Sequence, residues 1–266
     1  MTATAVPPPA TLPDSPWWVR AFGPLYLTVY GHRDDAEAKR NAPGIAALLK
    51  LRPHDRVLDL ACGEGRYARA LAATGYRVTG VDVSHTLLEE ARKRSPMLPG
   101  TPTYLRRDMR DLPFFEQFEG VASLFTSFGY FDDKGGDLEV LDGSRRALVP
   151  GGRFLIDFLN APQVRATLVA ESVETKGRWR VEFRRRIDEG AEGGPYVRKE
   201  VVLTDLRTGH EVGRYDERVR LYRPDELDEA LVSAGLALEG APHGGFSGEP
   251  YDQDAARYVR VARRPG

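Results

Sequence analysis

A single cysteine, Cys62, stands among the 266 residues. One thiol cannot close an intramolecular disulfide or build a cysteine cage for zinc. A reducing compartment, the cytoplasm, is the expected setting, and no metal site is expected. Charge of one sign is also missing: 38 Lys and Arg face 39 Asp and Glu, a net charge of -1. So balanced a chain has no global field to grip a phosphate backbone, and nucleic acid is not the expected partner. No apolar run approaches the roughly 18 residues that a membrane span needs, so no membrane partner is expected. The opening stretch Met1–Ala10 lacks a basic region, and Pro7, Pro8 and Pro9 interrupt it, so it does not read as a signal peptide. Internal repeats are absent. What is there, 29% charged and 41% hydrophobic residues, is the composition of an ordinary folded protein.

Residues 1–13, rich in Pro, Ala and Thr, are expected to form a disordered tail. Ser15-Pro16 starts an aromatic helix carrying Trp17, Trp18, Phe22, Tyr26 and Tyr30, and a second helix is expected over Asp34–Lys50. Residues 14–50 thus read as a helical lid, whose rings pack on the body or cover a small-molecule site. From residue 56 the rhythm changes. Arg56–Leu60, Arg77–Val81, Thr103–Arg106, Gly120–Phe125 and Arg153–Phe158 are short apolar strands, with helices Arg66–Ala73, His85–Arg94 and Leu138–Leu148 between them. Such alternation predicts an α/β fold with a doubly wound, mostly parallel sheet. Leu236–Ala241 and Arg257–Ala262 complete it to seven strands as an antiparallel edge pair. Beyond Asn160, polar and apolar residues alternate over Trp179–Ile187, Tyr196–Leu206 and Val212–Leu221. They predict a three-stranded antiparallel sheet, inserted as residues 171–222 into a domain made of 51–170 and 223–266. Arg184-Arg185-Arg186 within it is offset by Glu182, Asp188, Glu189 and Glu192 and reads as a solvated face of mixed charge.

In a doubly wound sheet, ligands sit beyond the carboxyl ends of the strands. Asp59, the turn Gly63–Gly65, Asp82, Asp108 and the stretch Phe125–Phe131 all fall there. Gly63 and Gly65 let the backbone turn sharply and approach a ligand closely. Asp82 can accept two hydrogen bonds from a ribose diol, and Asp108 one from an exocyclic amine. Together they describe an adenosine pocket. Gly63-Glu64-Gly65-Arg66-Tyr67-Ala68 also satisfies the G-x-G-x-x-A pattern of dinucleotide sites, so the glycines alone leave the cofactor open. Asp59 discriminates. Its carboxylate would be repelled by a pyrophosphate and attracted by an ammonium or a sulfonium.

Val57-Leu58-Asp59-Leu60-Ala61-Cys62-Gly63-Glu64-Gly65 resembles motif I of the class I S-adenosylmethionine-dependent methyltransferases. The resemblance continues through Val78-Thr79-Gly80-Val81-Asp82-Val83-Ser84, Arg107-Asp108-Met109 and Leu148-Val149-Pro150-Gly151-Gly152-Arg153. It covers residues 26–160 and the last two strands. Phe125–Phe131 and the antiparallel insertion are similar to the small-molecule branch, which includes sugar and amine N-methyltransferases. The resemblance implies S-adenosylmethionine as cofactor. Asp59 and the Gly63–Gly65 turn would line its methionine end, Asp82 would hold the ribose, and Asp108 and Met109 would bracket the adenine. Ala61 and Val83 are counted as further contacts. Phe125 would contribute backbone near the methionine amine, and Tyr30 and Arg33 would reach the carboxylate.

The implied reaction is an in-line displacement that carries the methyl to a nitrogen or oxygen of a small acceptor. Tyr130, Asp157 and His32 are the candidate catalytic residues, and Asn160 and His243 are further candidates for acceptor contact. Phe128, Tyr130, Phe131, Asp157 and Asn160 are expected to converge beyond the fourth and fifth strands, with the insertion as their roof. Two other readings stay open: an RNA or protein methyltransferase, and a non-catalytic S-adenosylmethionine-binding protein. Neither the acceptor's identity nor the oligomeric state, a homodimer included, is legible.

Overall fold

The computed structural model describes residues 16–31, 35–95, 100–131, 134–191 and 193–266. The expected tail 1–13, and with it His32 and Arg33, lie outside the described residues.

Five apolar stretches run parallel: β1 (Arg56–Leu60), β2 (Arg77–Asp82), β3 (Thr103–Arg106), β4 (Phe118–Ser123) and β5 (Leu148–Leu159). β10 (Ala237–Leu238) and β11 (Arg257–Arg263) add an antiparallel edge, giving the order β10-β11-β5-β4-β1-β2-β3. β1 is buried at four of its five positions, as a central strand covered on both faces must be. On one face Ile45 of α3 (Asp35–Leu48), Leu71 of α4 (Arg66–Ala73) and Leu88 of α5 (His85–Arg94) pack on Val57, Val78 and Leu155. On the other, Leu141 of α6 (Lys134–Ala147) and Leu227 and Leu231 of the helix Pro224–Ser233 pack on Leu58, Val121 and Phe154. Strand order reverses between β1 and β4, and the crevice of such a sheet opens at that switch point.

The second sheet has four strands rather than the three expected: β6 (Glu171–Lys176), β7 (Trp179–Asp188), β8 (Tyr196–Asp205) and β9 (Glu211–Arg220), antiparallel in that order. β6 escaped notice because Val173 is its one apolar residue and it is an edge strand, with no buried alternation to read. It returns through Gly177, held at φ 60°, into β7. One face of this sheet buries Val181, Phe183, Val201, Leu203 and Tyr215. On the charged face Arg184 pairs with Glu182 and Glu200, the mixed-charge arrangement expected.

The aromatic segment is two helices, not one: α1 (Trp17–Ala21) and α2 (Pro24–Tyr30). Pro24 has no N–H to continue a helical ladder and pushes Gly23 into extended backbone. Ala21, Val29 and Tyr30 bury against the apolar face of the second sheet.

Candidate active site

A cleft of about 1070 Å³, its mouth included, opens at the carboxyl ends of β1 to β4. Its floor is the chain just after each strand: Asp59 to Glu64, Asp82 and Val83, Asp108 and Met109, and Phe125. Its roof is aromatic, formed by Trp18, Phe22, Tyr26 and Tyr30, with Tyr130 and Phe131 closing one side. Of the cofactor residues expected from sequence, all but Arg33 therefore meet here, except that Gly65 sits just behind the lining as the N-cap of α4.

The floor is shaped by backbone. Ala61, Gly63 and Gly65 have φ of 53°, 56° and 74°, so three of five consecutive residues are left-handed. At Ala61 this costs on the order of 1–2 kcal/mol. Gly65 is doubly required, because an added Cβ would lie 2.4 Å from the Tyr104 hydroxyl. The curl aims the Gly63 N–H at Asp82 Oδ2, 2.8 Å away, while the Ser84 N–H donates to Oδ1 at 2.7 Å. The Val83 N–H is a third donor to this carboxylate, which keeps acceptor capacity for one more partner. Burial raises Asp82 to about 6.

Asp59 is more deeply placed. Burial raises it to about 7, against the Ala68 N–H and Arg66, which favour its charged form. Its Oδ2 is buried with no hydrogen-bond partner among the described residues. Such an oxygen costs free energy until a donor reaches it.

Asp108 is engaged in a way the sequence did not announce. The Arg110 N–H and Nε donate to Oδ1 at 2.9 and 3.1 Å, and Nη2 donates to Oδ2 at 2.6 Å. Burial pushes this carboxyl up, but the bonds from Arg110 outweigh it and the net shift is downward. The same guanidinium lies 4.4 Å from the Phe131 ring centroid and 5.7 Å from that of Trp18. Arg66 also lines the cleft, 4.2 Å over the Phe125 ring. An isolated arginine carries no pattern, so neither residue was identifiable beforehand.

Asp157 does not face the cleft. It is fully buried at the end of β5, where Oδ2 accepts from the Phe125 N–H at 2.8 Å and from Arg257 Nη1 at 2.6 Å. Its carbonyl takes the Thr126 N–H at 3.0 Å. It braces the turn in which Phe125 and Thr126 are left-handed, at φ 60° and 62°. A catalytic part for Asp157 is thereby replaced by an architectural one. Asn160 is likewise committed: its amide donates to the carbonyls of Asp252, Gln253 and Ala255, and Tyr251 donates to its Oδ1. Phe128 turns into the core beside Phe158 and Tyr222. His243 bridges to Val259 and Pro250 and is not part of the lining.

Tyr130 does line the cleft, its ring 5.3 Å from Trp17 and 5.7 Å from Phe22. Burial raises its phenol far above the usual range, which keeps the hydroxyl protonated at neutral pH. No residue of the second sheet lines the cleft among those described. The insertion, expected as the roof, instead backs α1 and α2, which are the roof. Among the described residues no group of three or more His, Cys, Asp or Glu could hold a metal, and no helix is long and apolar enough to cross a membrane.

Residues 57–152 match a family described as "Methyltransferase domain". The chain is 28% identical over 212 residues to the dTDP-3-amino-3,4,6-trideoxy-alpha-D-glucopyranose N,N-dimethyltransferase of Streptomyces venezuelae, covering 76% of this chain and 86% of that protein. To a Bacillus subtilis protein it is 36% identical over 107 residues, and it spans only 41% of that relative's length. The solved structure of the CcbJ methyltransferase from Streptomyces caelestis superposes with a TM-score of 0.77 at 24% identity, covering 92% of this chain and 98% of that one.

Proposed function

We propose that the chain is a class I S-adenosylmethionine-dependent methyltransferase and that it methylates a small acceptor, foremost an amine, held beneath the aromatic roof. The observation that carries this reading is Asp59 Oδ2, buried and unpartnered among the described residues at the floor of a ring-lined cleft. An ammonium would supply the missing donor, and a sulfonium would be held by the faces of the rings. The remaining floor fits the same molecule. The acceptor capacity left on Asp82 suits a ribose hydroxyl. Asp108 would share an oxygen between Arg110 and an adenine amine, with Met109 and Val83 against the base. The Phe125 N–H is committed to Asp157, so it is not available to the cofactor.

When bound, S-adenosylmethionine supplies a methyl group activated by positive sulfur. The chain's own contribution is to orient and to dry the site. Orientation of the two reactants is worth about 7–11 kcal/mol. Water exclusion by Trp18, Phe22, Tyr26 and Tyr30 adds to it. An amine entering this apolar region loses hydration, which favours its neutral, nucleophilic form. That suits a cleft in which Asp157 is unreachable and Tyr130 is no base. The Streptomyces venezuelae relative is named for an amino-sugar nucleotide, so amino sugars are the first acceptors to test.

The experiment is incubation with S-adenosylmethionine and a panel of amino sugars, simple amines, RNA and unfolded protein, followed by mass spectrometry. A small amine gained by one methyl group is the expected product. Activity confined to RNA or protein would overturn the small-acceptor reading.

A further inference from the structure

Tyr30 has two faces. Its ring lines the cleft, while its hydroxyl is taken up by the second sheet. The hydroxyl donates to Glu217 Oε1 of β9 at 3.2 Å and accepts from Lys199 Nζ of β8 at 2.7 Å. Lys199 and Glu217 are opposite each other in the β8–β9 register and are ion-paired. The Lys199 ammonium also lies 5.0 Å from the centre of the Tyr30 ring. One residue earlier, the Val29 carbonyl accepts from Lys176 Nζ of β6 at 2.6 Å. A cation there meets the negative end of α2.

The surroundings make this cluster consequential. α2 is seven residues long, too short to be stable by itself, so its position depends on what it packs against. Val29 and Tyr30 bury against Val181, Phe183, Val201 and Leu203, an apolar contact without strong directional preference. Charge-assisted hydrogen bonds have direction and are stronger than neutral ones. The α1 end of the roof is tied to the main sheet, where Trp17 Nε1 donates to the Tyr130 carbonyl and Ser84 Oγ donates to the Phe22 carbonyl. The α2 end is tied to the second sheet through Tyr30.

We propose that Glu217 and Lys199 are positioning residues for methyl transfer, acting through the Tyr30 hydroxyl to fix the end of α2 and the aromatic roof with it. The second sheet then shapes the cleft without touching its contents. The proposal rests on the methyltransferase reading above.

The test is a double-mutant cycle on the intact chain, with S-adenosylhomocysteine as the probe and calorimetry as the readout. Tyr30→Phe and Glu217→Gln each keep the shape of the side chain. Each is expected to weaken binding about tenfold, and the double variant is expected to bind no more weakly than Tyr30→Phe alone. Lys199→Arg should bind within about twofold of wild type, whereas Lys199→Met should match Glu217→Gln. Melting temperatures measured in parallel separate affinity from folding. If Glu217→Gln and Tyr30→Phe weaken binding additively, or Glu217→Gln binds as wild type does, the proposal is overturned. A wild-type chain that does not bind S-adenosylhomocysteine overturns the methyltransferase reading instead, a result distinct from either.

Discussion

The floor of the cleft and its roof are built on different principles. On the floor, backbone turns hold carboxylates: the Gly63 and Ser84 N–H groups grip Asp82, and the left-handed residues that aim them lie within a few positions of strand ends. On the roof, distant side chains hold rings. Trp17 reaches Tyr130, 113 residues away, and Tyr30 reaches Glu217, 187 residues away. The floor is thus set by backbone at the ends of paired strands, whereas the roof is held by single side chains reaching across most of the sequence. The difference assigns the two parts different work. A rigid floor can fix the cofactor, while a roof of short helices can vary with the acceptor.

The largest expected effect breaks the floor from behind. Asp157→Ala leaves Arg257 without its buried partner and frees the turn at Phe125, so unfolding stability should fall by about 3–5 kcal/mol. Thermal melting checks this; a variant as stable as wild type that has merely lost activity would return Asp157 to the reaction. Next, Asp82→Ala should weaken S-adenosylhomocysteine binding by about 1.5–3 kcal/mol with the fold retained, read by calorimetry. Equal affinity would remove Asp82 from the ribose.

Protons sharpen the same contrast. Asp59 and Asp82 are raised to about 7 and about 6 from an ordinary 3.8. Between about pH 4 and 7 the folded, ligand-free chain therefore holds protons that the unfolded chain has released. The contribution of these two groups to stability is greatest below that window and is lost as pH rises through it. Binding of a cationic cofactor favours their ionised forms and runs the other way. Titrations at about pH 6 in two buffers of different ionisation enthalpy should show proton release on binding, and Asp59→Asn should reduce it. No buffer dependence would contradict the raised values. The smallest effect belongs to the roof: Trp17→Phe removes one hydrogen bond to Tyr130 and should cost about 0.5–1.5 kcal/mol in stability by denaturant titration.

The same division explains how much the sequence disclosed. The parallel strands and the Gly63–Gly65 turn were legible because apolar runs and turn chemistry are local signals. Asp82 and Asp59 were legible because strand-end carboxylates in a doubly wound sheet project toward the crevice. Asp157 obeys the same rule and yet misleads. Its neighbour is β11, which brings Arg257 to it from 100 residues away, and no local pattern announces that partner. β6 was missed because a polar edge strand has no period to detect. The insertion was expected over the acceptor because it follows β5 in sequence. Chain order did not disclose that α1 and α2, from the other end of the chain, would come between.

The central claim is that this cleft binds an adenosyl sulfur compound with its cationic end on Asp59 and its outer side against the roof. Titration of S-adenosylhomocysteine and S-adenosylmethionine into the intact chain, followed by calorimetry and by tryptophan fluorescence, tests it most directly. One molecule is expected to bind per chain, with a fluorescence change from Trp17 and Trp18 that persists in Trp179→Phe, and with an Asp59→Asn loss shared by both compounds, because both carry the ammonium that Asp59 receives. Tighter binding of a nicotinamide dinucleotide, or saturable binding that leaves the roof tryptophans silent and is indifferent to Asp59, would contradict it.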